Sequence, residues 1–344
     1  MIATYLSAFF IFSFGILNLL GIKSNLVSSQ LIFFVEGLVL FFMVKKIGRN
    51  FFITNNKFFY WVLIFCLIVV LFLAEDVRGS RRWINFGFIN FQPSEFFKIF
   101  FIVFLAQLLT KTKFFTSERE KFFTVFSYFI LPSFLIFRQP DLGTTIVLTS
   151  IFLVMTFISN IPKRYFLRLF LIVLALFPIA WFIMQPYQRT RLLSFISPHL
   201  DKQGTSYNMI QSIITIGSGG FSGRGLGLGT QSKLFFLPEN FTDFAFASFI
   251  EQFGFFGGLI LIILFIVLLY SLIKKIFKYA TLDSEQTTFN FYYVLGLFIM
   301  IFCQVVINIG MNMGIMPITG ITLPLISYGG SSLASLMLGL ALLP

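Results

Sequence analysis

The segment 242–272 reads TDFAFASFIEQFGFFGGLILIILFIVLLYSL. Asp243 and Glu251 are its only charged residues, and the part that follows them is almost entirely aliphatic or aromatic. A helix needs about 20 consecutive apolar residues to cross the hydrocarbon core of a bilayer. The segment is therefore predicted to be a membrane-spanning helix with two carboxylates near its beginning.

The rest of the chain has the same character. Of its 344 residues, 58% are hydrophobic and only 11% are charged, and the mean hydropathy is +0.93. A soluble domain of this length could not bury so much apolar surface. Further apolar runs long enough to be spans lie at 2–21, 29–46, 58–75, 94–111, 121–137, 141–159, 165–184, 288–314 and 321–344. We predict an all-α polytopic membrane protein, one domain over 1–344, with about ten transmembrane helices and a large loop, 185–241, between the seventh and the eighth.

Residue counts exclude two kinds of site. Cys66 and Cys303 lie in separate apolar runs, so no disulfide framework or cysteine-based metal site is predicted. His199 is the only histidine, which excludes a multi-histidine metal centre.

The short loops predict the orientation, because Lys and Arg are enriched in loops on the cytoplasmic side. With the N-terminus inside, the cytoplasmic loops carry Lys45, Lys46, Arg49, Lys57, Lys111, Lys113, Arg119, Lys121, Lys163, Arg164, Arg168, Lys274, Lys275 and Lys278. Both termini are therefore predicted to be cytoplasmic, and the loop 185–241 extracytoplasmic.

Another group of basic residues lies on the opposite, outer side: Arg78, Arg81, Arg82, Arg138, Arg189, Arg191, Lys202, Arg224 and Lys233. Positive charge on this side opposes the usual bias, so it indicates an anionic ligand that approaches from outside. These residues lie at membrane boundaries, and nothing in their pattern favours nucleic-acid binding.

Three ionisable residues stand near helix starts. Glu95 and Lys98 lie three residues apart on a helix that Pro93 begins, so they share a face. The pair could fix two helices together or line a polar cavity, and the sequence leaves both interpretations open. Asp141 follows Pro140 at the start of another span, where capping of the helix is favoured over chemistry.

Residues 217–229 read GSGGFSGRGLGLG and contain Arg224. The spacing matches neither a Walker loop nor a dinucleotide-binding fingerprint. Glycine lets backbone N–H groups approach an anion closely, so a flexible loop and a phosphate cradle are both open interpretations.

Asp243 is the strongest single candidate for chemistry. It lies where the polar loop becomes the eighth predicted span, between Phe241, Phe244 and Phe246. Such neighbours should keep the carboxylate partly desolvated and basic, although a carboxylate at a helix start is often only a cap. Glu251 follows about two turns later on roughly the same face, and we expect it to join helices.

The last motif covers 308–332 and reads NIGMNMGIMPITGITLPLISYGGSS. Asn308 and Asn312 are four residues apart on a predicted helix, which Pro317, Gly320 and Pro324 then interrupt. Small residues and breaks favour close helix packing, with the shaping of a cavity as a second role.

Taken together, these motifs resemble the SEDS family (shape, elongation, division and sporulation) from about residue 75 to the end of the chain. The segments 217–220, 229–231, 308–311 and 317–321 resemble its cell-elongation members more than its cell-division members. The resemblance implies a ten-helix glycosyltransferase of the bacterial cytoplasmic membrane that polymerises lipid II at an active site facing outside. It also implies two kinds of partner, a class B penicillin-binding transpeptidase and other membrane proteins of the elongation complex.

The resemblance also assigns residues. The family's essential aspartate, in a Thr-Asp-Phe motif, matches Asp243, and its sensitive tryptophan matches Trp83. Its glutamate and lysine in the fourth helix match Glu95 and Lys98. The chain departs from the pattern at Phe241 (usually histidine), Gln252 (usually an acid) and Arg224 (usually lysine), and its tenth span is short. These departures could lower activity.

On this basis we expect Asp243 to act as general base for a sugar 4-hydroxyl that displaces the pyrophosphate from C1 of lipid II with inversion. Residues expected to contact pyrophosphate or sugar are Arg81, Arg82, Trp83, Glu95, Lys98, Arg224, Gln231 and Glu239. A divalent cation, Mg²⁺ or Mn²⁺, could assist, and no residue is assigned as a metal ligand. A lipid II flippase and a non-catalytic scaffold also fit ten spans. The clustering of charge on one side favours the enzyme, because a flippase should carry charges along its bore.

Overall fold

The computed structural model describes residues 2–74, 82–85, 90–111, 115–159, 161–183 and 205–344, together with residues 189, 193 and 195. Its helices are α1 (Ile2–Ile22), α2 (Val27–Ile47), α3 (Arg49–Thr54), α4 (Asn56–Leu73), α5 (Pro93–Thr110), α6 (Glu118–Arg138), α7 (Leu142–Ile158), α8 (Lys163–Ile183), α9 (Thr205–Gly219), α10 (Thr230–Lys233), α11 (Ala245–Ala280), α12 (Glu285–Asn312) and α13 (Gly330–Ala341). Two short strands, β1 (Ile84–Asn85) and β2 (Asn90–Phe91), pair antiparallel, with Ile84 opposite Phe91.

Each of the ten predicted spans overlaps a helix in the described part of the chain. Seven of these helices are long and apolar enough to cross a membrane: α1, α2 with the turn before it, α4, α5, α6, α11 and α12. Two more, α7 and α13, are shorter apolar helices. The prediction of an all-α polytopic membrane protein is confirmed.

The last predicted span begins later than expected. The run 321–344 is apolar throughout, but α13 covers only Gly330–Ala341. Pro324 has no N–H to give to a helix, and Leu325 has a positive φ of 67°. The chain before Gly330 is therefore irregular, and it is hydrogen-bonded to the turn that precedes α11.

Local signals in the sequence explain where several helices begin. Pro93 occupies the first turn of α5, and Ser117 caps α6 by accepting a hydrogen bond from the N–H of Glu120 at 3.1 Å. Ser284 and Thr287 form a reciprocal capping box at the start of α12. α5 and α12 then lie at the centre of the bundle, whereas α2 lies at its edge and leaves most of its surface exposed.

α11 is interrupted at Gly254, where φ is 67° and ψ is −169°. The glycine-rich segment docks into this break: Arg224 N–H donates to the Glu251 carbonyl oxygen at 2.9 Å, and Phe255 N–H donates to the Gly220 carbonyl oxygen at 2.9 Å. A Cβ on Gly254 would come within 2.2 Å of the Gly223 nitrogen, so glycine is required where the two backbones meet.

Candidate active site

Asp243 lies in a turn immediately before α11. The turn is closed by Glu239, whose carbonyl oxygen accepts from the N–H groups of Thr242 at 3.2 Å and Phe244 at 3.0 Å. Glu239 has a positive φ of 53°, and its carboxylate accepts from the Thr242 hydroxyl at 2.8 Å. The N-cap residue of α11 is Phe244, whose own side chain makes no capping hydrogen bond. Asp243 lies one residue before this N-cap position.

Two buried amides on α12 hold the backbone of Asp243. Its carbonyl oxygen accepts from Asn308 Nδ2 at 3.0 Å and from Asn312 Nδ2 at 3.1 Å. Asn312 Oδ1 accepts from the N–H of Ala247 at 3.0 Å, and Asn308 Nδ2 also donates to the Ile321 carbonyl at 2.7 Å. Both asparagines are 0% exposed. They join the beginning of α11 to α12, a positioning role that goes beyond the helix packing predicted from their spacing.

A second set of contacts holds the other side of the same turn. Tyr328 N–H donates to the Phe241 carbonyl at 2.8 Å, and the Ser327 hydroxyl donates to the Thr242 carbonyl at 2.6 Å. The Phe241 ring packs edge-on against Tyr328, and Lys23 Nζ lies 4.9 Å from its centroid. Phe241, which stands where the family usually has histidine, therefore packs against Tyr328 and holds Lys23 near the turn through a cation–π contact. Lys23 carried no motif that would have identified it.

Arg82 is fixed by three consecutive residues at the start of α7. Its Nε donates to the Gln139 carbonyl at 3.4 Å, its Nη2 donates to the Pro140 carbonyl, and its Nη1 lies 3.7 Å from Asp141 Oδ1. Asp141 also caps α7 by accepting from the N–H of Thr144 at 3.1 Å. The Asp141 carboxylate therefore both caps a helix and orients the guanidinium of Arg82, whose side chain is 11% exposed.

Asp243 and Arg82 face the same small space. The position that a Cβ on Gly320 would occupy lies 3.6 Å from Asp243 Oδ2 and 3.9 Å from Arg82 Nη1. Gly320 has a φ of 74°, which glycine adopts without strain. Arg82 and Asp243 are 161 positions apart in the chain, and the fold brings their charged groups together next to Gly320, which has no side chain.

Glu95 and Lys98, the two ionisable residues that share a face of α5, form a buried ion pair. Lys98 Nζ donates to Glu95 Oε1 at 2.8 Å, and the residues are 2% and 7% exposed. Ser335 on α13 donates to the other Glu95 oxygen at 3.5 Å. Gln92, just before α5, donates to Asp141 Oδ2 at 3.4 Å. The start of α5 is therefore linked by hydrogen bonds to the residue that orients Arg82.

The glycine-rich segment uses its N–H groups within the protein. Gly225 N–H donates to the Gln252 carbonyl and Gly227 N–H to Gln252 Oε1, both at 3.1 Å. The Glu251 carboxylate, 0% exposed, accepts from the N–H groups of Gln231 at 2.8 Å and Ser232 at 2.9 Å. These contacts favour a docked structural loop over both a flexible loop and a phosphate cradle, and they give Glu251 the joining role predicted for it.

The other predicted site residues are more dispersed. Arg224 is exposed, and its Nε donates to the Ser218 carbonyl at 3.1 Å, beside Glu251 rather than Gly320. The side-chain oxygen of Gln231 is buried and has no hydrogen-bond partner among the described residues. Trp83 is half-buried directly before β1. Arg81 lies outside the described residues.

Within the described part of the chain, no three His, Cys, Asp or Glu side chains are grouped closely enough to hold a metal ion. A divalent cation at this site would take most of its ligands from phosphate oxygens and water, as Mg²⁺ commonly does.

The fold and the site together define a class: a polytopic helical membrane protein that gathers a carboxylate, a guanidinium and a buried ion pair at one end of its bundle. Residues 1–344 match the family model described as "Cell cycle protein", which takes in FtsW, RodA and SpoVE. The chain belongs to this family, and the resemblance predicted from its motifs is confirmed.

Individual relatives agree with the family. The chain is 37% identical over 304 residues to the peptidoglycan glycosyltransferase MrdB of Escherichia coli strain K12, covering 88% of this chain and 80% of that protein. It is 37% identical over 317 residues to the stage V sporulation protein E of Bacillus subtilis strain 168, covering 91% and 84%.

Solved structures show the same fold. A chain of a peptidoglycan synthase complex, described as coordinating polymerization and crosslinking, superposes with a TM-score of 0.84 at 27% identity, covering 98% of this chain and 95% of that one. The rod shape determining protein RodA of Thermus thermophilus superposes with a TM-score of 0.71 at 25% identity, covering 99% and 94%.

Proposed function

We propose that this protein is a peptidoglycan glycosyltransferase that polymerises lipid II into glycan strands during cell elongation. The proposal rests on one observation: the Asp243 carboxylate and the Arg82 guanidinium both border the same small space next to Gly320. Displacement of a pyrophosphate by a hydroxyl needs a base on one side of the reacting carbon and positive charge on the other. Relatives named as peptidoglycan glycosyltransferases support the same function.

In the proposed reaction, a sugar 4-hydroxyl gives its proton to the Asp243 carboxylate as its oxygen attacks C1 of a lipid-linked disaccharide. The new C1–O bond forms while the bond between C1 and the pyrophosphate oxygen breaks, and the configuration at C1 inverts. The polyprenyl pyrophosphate departs with the bonding electron pair. Arg82, already oriented by Asp141, stabilises the negative charge that develops on it.

The remaining candidates are given roles that fit their contacts. Glu95 and Lys98 neutralise each other, so we assign them to the polar wall of the site and to the joining of α5 with α13. The other proposed contacts to pyrophosphate or sugar are Arg81, Trp83, Arg224, Gln231 and Glu239. Of these, Glu239 accepts a hydrogen bond from the hydroxyl of Thr242, the residue next to Asp243.

A class B penicillin-binding transpeptidase is the proposed partner, together with other membrane proteins of the elongation complex. The structural neighbour from a peptidoglycan synthase complex, which couples polymerization to crosslinking, supports this pairing. The transpeptidase would act on the glycan strand as it leaves the site.

The enzyme and flippase functions separate in one experiment. Purified protein in detergent, given lipid II and no other glycosyltransferase, is expected to produce glycan strands resolved by gel electrophoresis. A flippase needs two separated compartments and makes no polymer. Transfer of lipid II across proteoliposomes without polymer in either preparation would refute the proposal.

The proposed orientation places both termini in the cytoplasm and the Asp243 site outside the cell. Lys45 and Lys275 support it, since they donate to the carbonyl oxygens of Leu343 and Pro344, just beyond the end of α13 that is remote from the site. In a variant with Cys66 and Cys303 replaced by alanine, the exposed positions Lys233 and Lys278 can each be changed to cysteine. An impermeant maleimide should label position 233 in spheroplasts, and position 278 only after permeabilisation. The reverse labelling pattern would contradict an outward-facing site.

A further inference from the structure

Glu36 lies at the middle of α2 with its side chain on the exposed surface of the helix. Two acids nearer the starts of other membrane helices, Glu95 and Glu251, are buried and hydrogen-bonded. No described residue gives Glu36 a hydrogen bond or an ion pair. The helix therefore presents a carboxyl group to whatever surrounds the bundle.

The depth of Glu36 makes this position costly in lipid. It is about ten residues, or roughly 15 Å of helix, from either end of α2. A glutamate side chain is too short to reach the membrane surface from there, and acidic groups at mid-bilayer are found facing protein or water rather than hydrocarbon. An amine or choline of a lipid headgroup cannot satisfy Glu36 either, because headgroups lie at the membrane surface.

The residues around Glu36 have the spacing of a helix-packing seam. Ile32, Val35, Val39 and Phe42 alternate at intervals of three and four residues and are 58%, 57%, 53% and 65% exposed. This is the spacing by which two helices pack side by side with a small crossing angle. We call these four residues, with Glu36 beside them, the α2 seam. The opposite face of α2, which includes Gly37, already packs on α13.

We propose that the α2 seam binds a transmembrane helix of another membrane protein that carries a lysine or arginine at the depth of Glu36. The cation would form a charge-assisted hydrogen bond with the carboxylate, and the branched residues would fix the register. A second copy of this chain is a poorer occupant, because a symmetric α2 pair would face two carboxylates. The basic residues of α2, Lys45 and Lys46, lie in the last turn of the helix, about half its length away from Glu36.

The test uses the full-length protein in the membranes of its own host, with a photo-crosslinking amino acid at Val39. We expect a crosslinked product whose attachment peptide, identified by mass spectrometry, is a transmembrane segment with a Lys or Arg within one turn of the linked residue. Its yield should fall by about tenfold or more in Glu36→Leu. A crosslinker at Phe65, on the exposed face of α4 and 66% exposed, is the matched control and should not give this product.

Two further measurements make the outcome decisive. Glu36→Leu removes an acid from an apolar surface, so the purified variant should remain folded and polymerise lipid II normally. Glu36→Lys should abolish the crosslink, and changing the partner's cation to glutamate should restore it. Crosslinks only to lipid, only to a second copy of this chain, or to a helix without such a cation would overturn the proposal, as would a yield that Glu36→Leu leaves unchanged.

Discussion

Purified Asp243→Asn protein is expected to polymerise lipid II at least ~10²-fold more slowly than the original protein, since general base catalysis typically contributes ~10²–10⁴-fold. Asparagine keeps the shape of the side chain but cannot accept a proton. The backbone of residue 243 should stay in place, because Asn308 and Asn312 bind its carbonyl oxygen rather than its side chain. The measurement is the initial rate of glycan formation at saturating lipid II, alongside thermal unfolding in detergent.

The matched control is Asp283→Asn, the same change at an exposed aspartate in the loop between α11 and α12. It should leave both the rate and the unfolding temperature unaltered. If Asp243→Asn polymerises at the original rate, Asp243 is not the base. If Asp243→Asn loses activity only because it unfolds, then Asn308 and Asn312 do not hold this turn in place through its backbone, as we expect them to.

The arrangement of helices was largely predictable because membranes impose a simple rule on sequence. Each spanning helix needs an apolar run of a certain length, and that rule located a helix within every predicted span, including α11, which begins just after Asp243. Helix-start chemistry was equally local. Asp141 caps α7 and Glu95 pairs with Lys98 because residues three apart on a helix are neighbours.

What the sequence did not reveal depends on contacts between distant segments. Nothing local indicates that Arg82 and Asp243 share a space, or that Gly320 leaves that space open. The docked conformation of the glycine-rich segment was not predictable for the same reason. Its N–H groups bind the carbonyl groups that α11 leaves unpaired at Gly254, and a break in a long apolar run is not visible from hydropathy.

The asparagines illustrate a third limit. Two amides four residues apart in an apolar helix predict that something is hydrogen-bonded across helices, but not which group. In the structure, Asn308 and Asn312 both donate hydrogen bonds to the backbone carbonyl oxygen of Asp243, the candidate catalytic residue. A side chain that reacts must be held in place, and here the holding groups are buried polar residues whose spacing alone favours packing.

Arg82→Gln should reduce polymerisation by about 10²–10³-fold, the typical loss when one group that stabilises developing negative charge is removed. Glutamine can still donate a hydrogen bond towards Gln139 or Pro140 but carries no charge. Asp141 continues to cap α7 through Thr144, so the fold should persist. The loss should appear mainly in kcat, because the charge on the pyrophosphate grows as the C1–O bond breaks.

Arg82→Lys separates charge from geometry. Lysine restores the charge but not the planar fork by which Arg82 contacts Gln139, Pro140 and Asp141 at once. We therefore expect partial recovery, between the rates of Arg82→Gln and the original protein. Arg164→Gln, at an exposed arginine that pairs with Glu118 at 3.8 Å, controls for loss of one positive charge and should be silent. Equal rates for Arg82→Gln and the original protein would mean that the Arg82 guanidinium does not face the departing pyrophosphate. The proposed reaction would then have no group that stabilises the charge developing on the pyrophosphate.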